Sequence, residues 1–206
     1  MSDGVDTHGV PPAADEADDV AVVPRRSRTA LVVAVAVGAV LALLLVALAA
    51  TSDGPNDTAD TPLLGTPAPL VQTTTLDGST FDLSTRRGSW VVLNFFATWC
   101  PPCKQEHPEL VKFAMGQAAQ PDGAELVTVV NNDDPENVRA WFEENGGDWP
   151  VLTDPGGRVY VSFGVAKVPE TWIVDPDGII RARIITTVTA EGLAEVLART
   201  KAGEER

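Results

Sequence analysis

The chain holds two cysteines, and they stand three positions apart, in Trp99-Cys100-Pro101-Pro102-Cys103-Lys104. An apolar β-like run, Trp90-Val91-Val92-Leu93-Asn94-Phe95-Phe96, leads into them, and a segment with helical spacing follows from Pro102 to about Gln117. A Cys-x-x-Cys at the passage from a strand into a helix is a redox signature, and it demands a βα unit. The first cysteine then lies at a helix N-terminus, where free N–H groups and the macrodipole favour a thiolate. Three positions along a helix bring the second cysteine to the same face, within reach of a disulfide. A loop with two intervening residues gains little entropic stabilisation from a disulfide, so a purely structural bond is the weaker alternative.

The pattern around the motif places it in an α/β domain. Val71 to Leu76 and Ser79 to Asp82 flank an Asp77-Gly78 turn and predict a hairpin. Trp90 to Phe96 is apolar except for Asn94, as expected of a strand buried on both faces. Glu125 to Val130 predicts a second buried strand. Pro135 to Asn145 predicts a helix, with Val138, Trp141 and Phe142 inward and Gly146-Gly147 ending it. Asp154-Pro155-Gly156-Gly157 is a turn. Thr171 to Val174 and Ile179 to Thr186, joined at Pro176-Asp177-Gly178, form a terminal hairpin. Thr189 to Thr200 closes the domain as an amphipathic helix with Thr189 as N-cap. The order is hairpin, β, α, β, α, β, β, α, with parallel strands first and an antiparallel pair last.

Composition divides the chain before the domain. Residues 1–29 read as a disordered tail, acidic and unpatterned until Arg25, Arg26 and Arg28. Residues 30–50 carry no charge and are long enough, about 30 Å as a helix, to cross a bilayer. Residues 51–69 are rich in Asp, Thr, Pro and Gly and read as a linker, leaving 70–201 as the globular domain. Arginines before the apolar run and Asp53, Asp57 and Asp60 after it orient the tail to the cytoplasm and the domain outside the cell membrane. A cleaved signal peptide is the competing reading, since Ala47-Leu48-Ala49 has the form of a cleavage site. Either way the dithiol works in an oxidising setting. The formal net charge of −14 carries no basic footprint, so no nucleic-acid partner is expected.

Two stretches carry a closer likeness. Asn94-Phe95-Phe96-Ala97-Thr98-Trp99-Cys100-Pro101-Pro102-Cys103-Lys104-Gln105-Glu106-His107-Pro108 and Gly164-Val165-Ala166-Lys167-Val168-Pro169-Glu170-Thr171-Trp172-Ile173-Val174-Asp175 resemble the membrane-anchored thioredoxin-like proteins of cytochrome c maturation, the TlpA/ResA/DsbE (CcmG-like) group. The resemblance covers about Pro67 to Leu197. It implies a thioredoxin-like α/β fold: a central mixed sheet flanked by helices, with an N-terminal β-hairpin extension, after a single transmembrane helix. It implies a cis proline at Pro169, after Val168, facing the active-site disulfide.

The roles implied are specific. Cys100 is the attacking thiol and the more exposed cysteine. Pro102 has no N–H, so a thiolate there draws on the N–H of Cys103 and residues beyond. Cys103 resolves the mixed disulfide. Glu106, on the same helix face as Cys103, is the carboxylate that exchanges protons with it, or else a solvated helix residue. Ordinary thioredoxins have an aspartate six residues before the first cysteine; here Asn94 stands there and cannot titrate, which shifts weight onto Glu106. Val168 and Pro169 form the ledge for a substrate strand, with Trp99, Pro101 and Pro102 beside the sulfurs. Glu170 tunes the site or a partner contact, or is an ordinary exposed charge.

Other chemistries fit less well. His8 and His107 are the only histidines and are expected on opposite sides of the membrane, so no metal site and no cofactor is expected. Peroxidase chemistry needs a Pro-x-x-x-Thr-x-x-Cys pattern, and Leu93 and Ala97 occupy the proline and threonine positions. Three functions remain: a thiol-disulfide reductant acting on exported proteins such as apocytochrome c and recharged by a membrane dithiol donor, an oxidase of the same fold, or a non-catalytic binder.

Overall fold

The apolar run ahead of the domain forms helix α1 (Arg28–Ala50), two residues longer at its start than the uncharged stretch predicts. The computed structural model describes residues 28–50 and 58–203. The expected tail therefore lies outside the described residues up to position 27, as does the first part of the expected linker, 51–57. Among the described residues no helix is long and apolar enough to cross a membrane. The chain divides into two units between residues 51 and 52, and among the described residues the second holds every strand and both cysteines.

Strands β1 (Gln72–Thr74) and β2 (Thr80–Asp82) pair antiparallel around the predicted turn, where Gly78 takes φ +88°, a conformation that suits glycine. Strand β3 (Val91–Phe96) is buried at all six positions. Helix α2 (Pro101–Ala118) follows, then β4 (Glu125–Val130) and α3 (Pro135–Asn145). Asp134 caps α3 by accepting from Glu136 N–H at 2.7 Å, with Pro135 in its first turn. Next come β5 (Val151–Thr153), α4 (Arg158–Phe163), β6 (Glu170–Val174), β7 (Ile180–Ile184) and α5 (Ala190–Lys201). Thr189 caps α5 through Gly192 N–H at 3.1 Å, as predicted. The five-stranded sheet runs β5-β4-β3-β6-β7, parallel across β3-β4-β5 and antiparallel across β3-β6-β7. Strand β5 and helix α4 are additions to the predicted order; three and six residues are too short to show a period.

Alternation along β3 divides the core. Val91, Leu93 and Phe95 face a cluster with Phe81, Val159, Phe163 and Trp172, beneath the hairpin and α4. Val92 faces Leu110, Phe113, Leu193 and Leu197 from α2 and α5, and Phe96 faces Cys100, Cys103 and Val138. Asn94 shares that second face.

The linker assignment is corrected from Thr58 onward. Thr58 bridges to Ile184 and Pro67 to Ile179. Ala59 N–H donates to Arg183 O at 2.7 Å, Gly65 N–H to Ile180 O at 2.9 Å, and Ile180 N–H to Thr66 O at 2.9 Å. Leu63, Leu64 and Ala68 pack on the core. Strand β7 is an edge whose backbone groups need partners, and a Thr/Pro/Gly-rich segment supplies them. Composition reports only the segment's polarity.

The turn from α2 into β4 places the next strand and is tight: a Cβ on Gly123 would lie 1.9 Å from Gln117 O. Gly123→Ala should lower stability by about 3 kcal/mol, seen as a lower urea midpoint. An unchanged midpoint would show that the turn yields.

Candidate active site

Cys100 is the N-cap of α2, at φ −93° and ψ 106°. Its position follows from β3: the strand ends at Phe96, and Ala97 to Trp99 make the turn into the helix. A second loop holds that turn. Thr98 N–H donates to Asp133 Oδ2 at 2.5 Å, Thr98 Oγ1 to Asp133 Oδ1 at 2.9 Å, and Trp99 Nε1 to Asn132 O at 3.0 Å. These supports come from the β4–α3 loop, and nothing in the local sequence marks Asp133 for them.

Cys100 and Cys103 are joined in a disulfide, with Cα atoms 5.3 Å apart. Pro101 and Pro102 occupy the first turn and are exposed. Neither has an N–H, so the first donor is Cys103 N–H, which points at Cys100 Sγ at 3.2 Å. That is the donor expected to support a thiolate on Cys100. The expected contrast in exposure is small: Cys100 is 3% exposed and Cys103 1%, because Val168 packs against the cluster that holds both sulfurs. Trp99 is open as well, 59% exposed.

The Val168–Pro169 peptide is cis, as expected. Cys100 Sγ lies 3.6 Å from Val168 O; a disulfide sulfur has no proton to give, whereas the reduced thiol can donate along this line. Pro169 is buried and Val168 half-buried. The fold thus brings together two sequence segments 68 residues apart.

Glu106 is buried on α2. It accepts from Asn94 Nδ2 at 2.8 Å and from Val188 N–H at 3.1 Å. Burial pushes its carboxyl up to about 8, against the pull of the Val188 and Asn94 hydrogen bonds. The solvated-helix alternative for this residue is thereby removed. Asn94, at the position of the missing aspartate, is its direct partner.

Glu170 is corrected. Its carboxylate is buried on the opposite face of the sheet, bonded by Arg183 Nε at 2.9 Å and Nη2 at 3.1 Å, and by Trp172 Nε1 at 2.8 Å. It is neither an exposed charge nor a group a substrate can touch. Sequence showed its place after the proline, while its orientation follows from the pairing of Phe95 with Glu170 in the β3–β6 register. His107 is also buried, ringed by Phe96, Trp141, Phe142 and Trp149, with Nε2 at 2.8 Å from Gly146 O. A carbonyl only accepts, so Nε2 carries the proton. Burial lowers its basicity and keeps it neutral.

The geometry agrees with comparisons across known proteins. The profile of the AhpC/TSA family matches residues 64–183. The chain belongs to this thioredoxin-fold family. The thiol:disulfide interchange protein HelX of Rhodobacter capsulatus is 34% identical over 69% of this chain and 80% of its own. Thiol-disulfide oxidoreductase ResA of Geobacillus thermodenitrificans is 31% identical over 79% of this chain and 92% of its own. DsbE of Escherichia coli is 33% identical over 70% and 78%. Among solved structures, a thioredoxin-family thiol:disulfide interchange protein from Chlorobium tepidum covers 69% of this chain and 99% of its own at 25% identity, with a TM-score of 0.60. These matches identify the chain as a thiol-disulfide oxidoreductase of ResA/DsbE/HelX type.

Glu106 also predicts a pH dependence of stability. Its proton is held to about pH 8 in the folded state and to the ordinary 4.5 when unfolded. A raised folded value means that its contribution is full below about pH 4.5 and lost as pH rises through about 8. His107, with a lowered value, acts in the opposite sense, its contribution being lost as pH falls below its ordinary range. Glu106→Gln should therefore gain on the wild type by a few kcal/mol as pH rises across this window. A difference in unfolding free energy that stays flat with pH would remove the buried acid from the account.

Proposed function

We propose that this protein is a membrane-anchored, extracytoplasmic reductant of disulfides in exported proteins, with apocytochrome c as the substrate. The observation that carries the reading is the Cys100–Cys103 pair at the start of α2, lying against the Val168–Pro169 cis peptide. The names of the relatives support the chemistry, and the likeness to cytochrome c maturation proteins supports the target. The anchor rests on the uncharged run over α1 with arginines before it; residues 1–29 are then the cytoplasmic tail.

The reaction is an exchange of two electrons. Reduced Cys100, as thiolate, attacks one sulfur of the substrate disulfide, and the other leaves as a thiolate. Cys103 gives its proton to Glu106 and attacks Cys100 Sγ. The Cys100–Cys103 disulfide forms, and the second substrate thiolate departs and is protonated from Glu106 or water. A membrane dithiol carrier returns the electrons. Trp99, Pro101 and Pro102 present the open surface, and the backbone of Val168 and Pro169 receives the extended substrate.

Cys103→Ser in the full-length protein should accumulate a mixed disulfide with an exported protein, resolved by reductant on a gel; absence of any adduct would count against a reductant. Cys100→Ser should abolish activity, and retained biological activity would favour a non-catalytic binder. The reduction potential of the pair decides direction. A value near about −270 mV, as in thioredoxin, fits a reductant, whereas one near about −120 mV marks a disulfide-forming oxidase.

A further inference from the structure

Asn94 is the single polar residue of β3 and is 1% exposed. Its Nδ2 donates to Glu106 Oε1 at 2.8 Å and to Thr171 Oγ1 at 3.1 Å. Its Oδ1 is buried without a hydrogen-bond partner among the described residues. A buried acceptor left unmade is costly. The two ends of a side-chain amide exchange places by a half-turn.

The donors around Glu106 serve one charge state only. Val188 N–H and Asn94 Nδ2 both point at carboxylate oxygens, as an ionised group requires. The protonated group carries an O–H that needs an acceptor, and the unused acceptor of this set is the other end of the same amide. A half-turn brings Oδ1 to the place of Nδ2, opposite Glu106 and Thr171. The Thr171 hydroxyl accepts in the first arrangement and donates in the second, since a hydroxyl does either.

The charged surroundings leave the set isolated. On this face of the sheet the titratable neighbours along α2 are Cys103, His107, which is bonded to Gly146 O, and Glu109, which is paired with Lys112 and accepts from Ala190 N–H. Lys104 lies over the Trp141 ring. On β4, Thr128 accepts from Trp149 Nε1. Strand β7 presents Ala182 and Ile184, and α5 presents Leu193. Glu170 and Arg183 answer each other on the opposite face. Among the described residues no cation stands beside Glu106 to hold its charge.

We propose that Asn94 and Thr171 are positioning residues that hold the Glu106 carboxyl in both of its proton states, the Asn94 amide reversing when Glu106 takes the Cys103 proton. The inference rests on Glu106 as the proton partner of Cys103 and adds the device that lets a buried carboxyl change charge without losing its hydrogen bonds. Thr171 follows Glu170 and the cis proline directly, so the same device ties the carboxyl to the strand that begins at the substrate ledge.

The test is an NMR titration of the full-length protein, observing Glu106 Cδ and the Asn94 side-chain N–H pair across about pH 6 to 10, around the Glu106 value of about 8. The expected result is one shared midpoint for both signals, with the Asn94 shift absent in E106Q. T171V should move the midpoint and slow disulfide exchange about tenfold, as loss of part of a general acid–base arrangement does; T171S should restore both. An Asn94 signal that stays fixed while Glu106 titrates overturns the inference and leaves Glu106 its role. A Glu106 carbon that keeps one charge state across the range overturns both. If E106Q leaves the exchange rate and its pH profile unchanged while the wild-type signals move together, the coupled amide stands and only the proton-transfer role of Glu106 falls.

Discussion

Strand β3 is hydrogen-bonded on both edges and buried on both faces, and the remainder of the domain takes its position from it. Parallel pairing with β4 and antiparallel pairing with β6 fix its register from Val91 to Phe96. A strand enclosed in this way cannot slip, because one residue of shift would exchange its two faces and send Asn94 into the Trp172 cluster. The start of α2 lies a short turn beyond its end, so Cys100 inherits the strand's precision. The same register sets Phe95 opposite Glu170, which places the cis peptide at Val168–Pro169 just past the pairing and beside the sulfur.

Two buried glutamates show how environment separates roles. Glu170 lies one residue past the cis proline and meets a guanidinium in bidentate geometry, together with an indole N–H. Such a carboxylate serves as a clamp between β6 and β7. Glu106 meets one amide and one backbone N–H, with no cation among the described residues, and burial favours its neutral form. A group that gains and loses a proton near physiological pH suits exchange with a thiol, whose own proton must leave before the sulfur can attack. The sheet stands between them and keeps the guanidinium from quenching the acid.

Much of this was legible in the residues. The strands at β3 and β4, helix α3 at its observed bounds with Pro135 in its first turn, the Thr189 cap and the hairpin turns all follow from period and turn chemistry. The Cys100–Cys103 pair followed from the motif's spacing at a strand-to-helix passage, and the cis proline from the likeness of two segments. Short elements did not show: β5 and α4 have too few residues to display a period. The edge pairing of Thr58 to Ala68 with β7 was hidden because a Thr/Pro/Gly-rich stretch has the same composition whether it is solvated or laid along an edge strand.

The chemistry is written in the order of the residues: two cysteines at a strand-to-helix junction, prolines that leave Cys103 N–H as the first donor, and an acid one turn further along the same helix. Local rules suffice for these, since they involve residues within a few positions of one another. Which groups surround them depends on the folded chain. It set Asn94 and the Val188 amide against Glu106, Asp133 beneath Thr98, and Arg183 on Glu170, across separations of 12, 82, 35 and 13 residues. Those contacts fix charge state and orientation through burial and hydrogen-bond geometry, which depend on what the folded chain brings near rather than on what stands beside each residue in the chain.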